Sequence, residues 1–176
     1  MRVVNCKRLS RNLIFIICIL QYSFLLSCGY TVHRTSALPV KSVRISGVEN
    51  HTFEPGLQDL FINIFTEELL RSGISSSETS KYVFSAVLTD YKLNTMSIKN
   101  DLSVEYSIQI VADITLRLPD GTTRRMKGIS SEFMETFVSA DNIQAIQAQR
   151  EVATKKAVRD LSQRIIAEMI YNTNLE

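Results

Sequence analysis

The sequence holds few side chains able to do covalent chemistry, and the one that stands out is the thiol of Cys28. The other cysteines are Cys6 and Cys18, and the only histidines are His33 and His51. A serine nucleophile needs a histidine base held beside it, yet no Gly-x-Ser-x-Gly elbow accompanies either histidine. Cys28, His33 and His51 are too few ligands for a zinc site. Asp113 and Glu105 fall eight residues apart on one alternating segment. That is about 27 Å along a strand, too far for two carboxylates to act on one bond. Glu67 and Glu68 read as helix surface. The chain has no phosphate-cradling glycine loop and no dinucleotide fingerprint. This inventory points away from catalysis and asks for no metal or cofactor. What remains is the thiol of Cys28 itself and the binding of anions by basic residues near turns: Lys92, Lys99, Arg124 and Arg125, with Lys127. Taken singly these read as solvated strand ends that discourage edge pairing. As a group they suit a phosphate-bearing head group, provided that the fold makes them converge.

The surroundings of Cys28 give its chemistry a context. Arg2, Lys7, Arg8 and Arg11 make a basic N-terminus with no acidic residue, and Leu13 to Leu26 is apolar apart from Gln21, Ser23 and the Tyr22 hydroxyl. That run is shorter than the ~20 residues a membrane-spanning helix needs and matches the apolar region of a secretory leader. The leader ends Leu25-Leu26-Ser27-Cys28, which resembles the lipobox of bacterial lipoproteins. The resemblance implies that the thiol is acylated and that cleavage makes Cys28 the first mature residue. Three acyl chains on one cysteine anchor firmly, where a single chain holds only marginally. Residues 1–27 are therefore expected to be a signal peptide, 28–39 a lipidated tether and 40–176 one domain. Gly29 rather than Asp after the cysteine favours the outer membrane.

Removing the leader also changes the charge. It takes 4 of the 20 basic residues and none of the 18 acidic ones, leaving a formal charge of −2. No basic-patch argument for nucleic acid survives that. The 149 residues that remain are the size of one ordinary domain.

The elements that must position these residues follow from periodicity. Val40–Val48 reads as a strand. Leu57, Leu60, Phe61, Ile64 and Leu69 repeat at helical spacing, with Pro55 in the first turn and Gly73 closing the helix. Tyr82–Ser97 is β-type. Val104 to Leu118 alternates strictly, predicting one dry and one wet face. Pro119-Asp120-Gly121 turns the chain into a fourth strand, Thr122–Phe137, with Gly128 placed to make a bulge. A long helix from about Asp141 to Tyr171 carries Ile146, Ala153, Ala157, Leu161, Ile165 and Met169 on its apolar stripe, with Arg150, Lys156, Arg159 and Arg164 outside. The expected fold is a single α+β domain: a four-stranded mixed sheet with two helices packed on one face, in the order β-α-β-β-β-α.

With these elements in place, the whole pattern resembles the LptE lipopolysaccharide-assembly lipoproteins. The resemblance rests on Cys28-Gly29-Tyr30, on Leu38-Pro39 before the first strand and on Asn50-His51-Thr52-Phe53-Glu54-Pro55-Gly56-Leu57 leading into the first helix. Val104-Glu105-Tyr106-Ser107 and the terminal helix complete it. It implies a non-catalytic outer-membrane lipoprotein that plugs an LptD-type β-barrel, helps it assemble and passes lipopolysaccharide outward. In some members of that family a basic residue at the tip between the second and third strands is linked to lipopolysaccharide binding, and Lys99 occupies the comparable place. A second basic position before the terminal helix has no counterpart, since Gln144, Gln147 and Gln149 stand there. Two other readings remain: a lipoprotein that regulates a peptidoglycan synthase or pilots a secretin, against which the short tether argues, and a lipid-anchored hydrolase.

Overall fold

The computed structural model describes residues 38, 40–99, 102–131, 135–138 and 143–173. The leader, Cys28, the tether up to Ala37, and the Asn100-Asp101 turn lie outside them.

The order is β1 (Ser42–Asn50), α1 (Leu57–Arg71), β2 (Ser75–Ser76), β3 (Val83–Lys99), β4 (Leu102–Arg117), β5 (Thr123–Ser130), β6 (Glu135–Val138) and α2 (Ile143–Thr173). The sheet runs β2-β1-β3-β4-β5, with β6 also on β4. β1 is parallel to β2 and β3, and the other pairs are antiparallel. The expected mixed sheet with two helices is therefore present, but with six strand segments among the described residues rather than four.

Two causes account for the difference. Ser75 and Ser76, which lie between the first helix and the second expected strand, pair with Ser42 and Val43 as a two-residue edge strand. The expected fourth strand is broken at Ser131, which is wholly buried. The Ile110 N–H donates to its Oγ at 3.2 Å, and its own N–H donates to the Ile110 carbonyl at 2.9 Å. A hydroxyl thus takes the place of a ladder carbonyl, and pairing resumes at Glu135 opposite Ile108. Gly128 has φ +67° where the β4–β5 register slips between Ala112 and Ile114, a bulge at the expected glycine. Helix α1 starts later than Pro55 suggested. Its N-cap is Gly56 with φ 71°, so the proline precedes the helix rather than opening it.

The core lies between the helices and one face of the sheet. Ile108, Ile110, Ala112, Ile114 and Leu116 are all essentially inaccessible, as the alternation of β4 predicts; Ser107, expected on the wet face, is buried too. Phe65 stacks on Phe61 at 5.3 Å and on Phe84 of β3 at 4.4 Å, joining α1 to the sheet. From α2 come Ala153, Ala157, Leu161, Ile165 and Met169, with Val158 and Ile166 widening the stripe.

Polar side chains clamp the helices. Glu68 is only 4% exposed, not on the surface as its type suggested. It accepts from Arg71 of its own helix and from Arg159 Nε (3.1 Å) and Gln163 Nε2 (2.9 Å) of α2. Arg159, expected to point outward, is therefore a tie between the helices, and Arg150, also expected outward, pairs with Glu54 of the loop before α1.

Candidate functional site

The loop from Asn50 to Leu57 shows how a short motif becomes a rigid corner. Asn50 Oδ1 accepts from the Thr52 N–H at 3.0 Å and its hydroxyl at 2.7 Å, while Asn50 Nδ2 donates to the Glu54 carbonyl at 2.8 Å. The His51 N–H donates to the Leu88 carbonyl at 2.9 Å, pinning the loop to β3. Glu54 pairs with Arg150 of α2, whose guanidinium lies 5.6 Å over the Tyr91 ring. The Tyr91 hydroxyl, within 3.4 Å of Arg150 Nε, is the main cause holding that guanidinium charged, with the Glu54 charge adding to it. Two cavities of about 280 Å³ flank the Glu54–Arg150 pair, one of them lined by Gln147 and the other by Phe53. Phe53 itself is fully exposed. The motif's Asn, Thr, Glu, Gly and Leu thus have structural duties, while its aromatic side chain stands in solvent at the rim of a cavity.

The other surface of interest is the sheet face turned away from the helices. Alternation puts Arg44 and Ser46 of β1, Ser85 and Lys92 of β3, Thr115 and Arg117 of β4, and Arg125 of β5 there. Asp113 lies on it as well, with Oδ1 taking the Gly128 N–H at 2.8 Å. This is the predicted wet face: largely polar, with Val83, Val87 and Val111 interspersed, and uncovered by either helix.

The four basic residues singled out for anion binding do not meet on it. Arg124, Lys92 and Lys99 stand opposite Leu116, Gln109 and Leu102 of β4, each step seven positions along the strand. Each step is about 23 Å. Arg125 stands opposite Thr115 on the outer face, whereas Arg124 stands opposite buried Leu116. Lys92 already has Asp90 at 3.4 Å. A single head-group site made by all four is thus not built, because one long hairpin spreads them out. The Arg44–Arg117 pair escaped the sequence reading, because their juxtaposition follows only from the parallel register of β1 on β3. The period-two pattern of β1 was the one signal available.

Among the described residues, no group of three or more His, Cys, Asp or Glu is placed to hold a metal, and no helix is long and apolar enough to cross a membrane.

The fold and its open polar face define the class: a single α+β domain of the kind found in bacterial lipoproteins. The crystal structure of rare lipoprotein B from Shewanella oneidensis matches with a TM-score of 0.50 at 13% identity, over 72% of this chain and 95% of that one. The solution structure of lipoprotein B from Nitrosomonas europaea matches with a TM-score of 0.53 at 14% identity, over 84% and 94%. At these identities the likeness establishes the fold. Comparison with curated proteins gives no sequence match. The chain belongs to the LptE lipopolysaccharide-assembly family, whose sequence model matches residues 40–169. That family is one of assembly lipoproteins, not of enzymes.

Proposed function

We propose that the protein is anchored in the outer membrane through acylated Cys28 and acts, without catalysing a reaction, as the plug of an LptD-type barrel. In that role it assists barrel assembly and lipopolysaccharide export. The observation that carries this reading, beside family membership, is the broad polar sheet face left open by both helices. The lumen of an outer-membrane barrel is lined by polar side chains, so such a face suits a lumen where a lipid-facing surface would need an apolar band. Lys99, at the end of β3 where the hairpin turns, is the residue proposed to meet lipopolysaccharide.

Affinity purification in gentle detergent should recover an LptD-type barrel with the tagged protein, and depletion should lower both barrel assembly and surface lipopolysaccharide. Recovery of no barrel would remove the reading. Mass spectrometry should find three acyl chains on Cys28 and no leader, and Cys28→Ser should shift the protein out of the membrane fraction. Lys99→Glu should lower the retained glycolipid while leaving barrel recovery unchanged.

A further inference from the structure

The open sheet face carries a more specific feature than its polarity. Register places Arg44, Val83, Arg117 and Thr123 in one row across β1, β3, β4 and β5. The two arginines stand on either side of Val83, two strand spacings or about 10 Å apart. Beneath them the hydroxyls of Ser46, Ser85, Thr115 and Thr123 complete a depression of about 280 Å³ that contains no carboxylate.

Arg44 is the odd member. Its Nε is buried and has no hydrogen-bond partner among the described residues. A buried N–H without an acceptor is a costly arrangement, and an arginine that can swing toward an arriving acceptor relieves it. Guanidinium groups select planar oxyanions through paired N–H bonds. Two of them in one row, on either side of an apolar residue and in the lining of one depression, can each pair with an acidic side chain on a facing wall.

We propose that this row is a docking socket for carboxylate side chains of a protein partner, and that the partner is the wall of the barrel lumen. The inference rests on the plug reading above and adds to it the face, the residues and the chemistry of contact. Charge complementarity chooses the occupant. The charged residues that line the socket, Arg44 and Arg117, are both basic, although the chain after its leader is acidic overall.

The test uses the full lipidated protein co-expressed with the barrel. In Arg44→Lys/Arg117→Lys, a carbodiimide joins an amine to a carboxylate in direct contact, and peptide mass spectrometry should find residue 44 or 117 linked to an Asp or Glu of the barrel. Arg44→Glu and Arg117→Glu should each lower barrel recovery about tenfold or more, with an unchanged melting temperature showing that the variants fold. Wild-type recovery of no barrel would defeat the plug reading itself. Wild-type recovery with undiminished recovery by both Glu variants, and with no link at 44 or 117, would overturn the socket alone. Barrel recovery that persists while bound lipopolysaccharide falls would assign the row to glycolipid phosphates and also overturn it.

Discussion

Glu68 carries a clear energetic statement about a single residue in this protein. A carboxylate 4% exposed and met by Arg71, Arg159 and Gln163 is satisfied only while all three partners are present. Glu68→Ala strands Arg159 and Gln163 and opens a polar void between the helices, so it should lower unfolding free energy by about 2 kcal/mol. Glu67 bridges Arg71 and Arg159 at roughly half exposure, so Glu67→Ala should change stability by less than about 0.5 kcal/mol. Chemical denaturation of the two variants distinguishes a buried clamp from a surface pair. Sequence reasoning put both on the surface because adjacent glutamates in a helix usually are. One side of a helix differs from the next by only 100°, and nothing local told which of the two would face α2. The same blindness applied to Arg150 and Arg159, whose partners Glu54 and Glu68 lie 96 and 91 residues away in sequence. Ordinary apolar residues were more legible, since periodicity alone put Ile110, Ile114, Leu161 and Ile165 inside, where they are.

Among the elements, the long strands and both helices were readable, and the short edge strand β2 and the break between β5 and β6 were not. Alternation over β4 is long enough to specify register, because a one-residue slip would expose the entire core face. The break between β5 and β6 has no such signature, for it depends on a serine hydroxyl finding the Ile110 N–H in three dimensions. Ser131→Ala should leave that buried donor without an acceptor at a cost of about 1–3 kcal/mol, with faster amide exchange at Ile110. The bulge was legible through its glycine. A Cβ at Gly128 would touch nothing within 4 Å, so the penalty of Gly128→Ala comes from the positive φ alone. It should be about 1 kcal/mol, and Asn there should cost less. At the β4–β5 turn, the Thr122 hydroxyl first and then its N–H hold the Asp120 carboxyl below its ordinary pKa. A depressed carboxylate supports the fold above its unfolded pKa, and that support is lost as pH falls through the folded value. An NMR titration should therefore place Asp120 below an unfolded-chain aspartate, and Thr122→Ala should move it part of the way back.

For the whole molecule, the two ends of the sheet are unlike, and lipid anchoring would give that difference a direction. The chain enters the domain at Val40 and Lys41, beside Ser42, Ser80, Lys81 and Pro119 around one cavity. From there β3 runs away for 17 residues, about 55 Å, to the tip that carries Lys99. Helix α2, with 31 residues, spans only about 46 Å. Under the proposed lipidation of Cys28, a random chain of a dozen residues would have an average reach of about 20 Å. Such an anchor would hold the tip on average far from the leaflet that carries the acyl chains and leave it to extend into the proposed barrel. Lipidated protein on vesicles should show this without any partner. A fluorophore at position 81 should be quenched strongly by spin-labelled lipid head groups, and one at position 94 weakly. Equal quenching at both positions would mean that the domain lies along the surface, and a hairpin lying along the membrane cannot lead an insertion into a lumen.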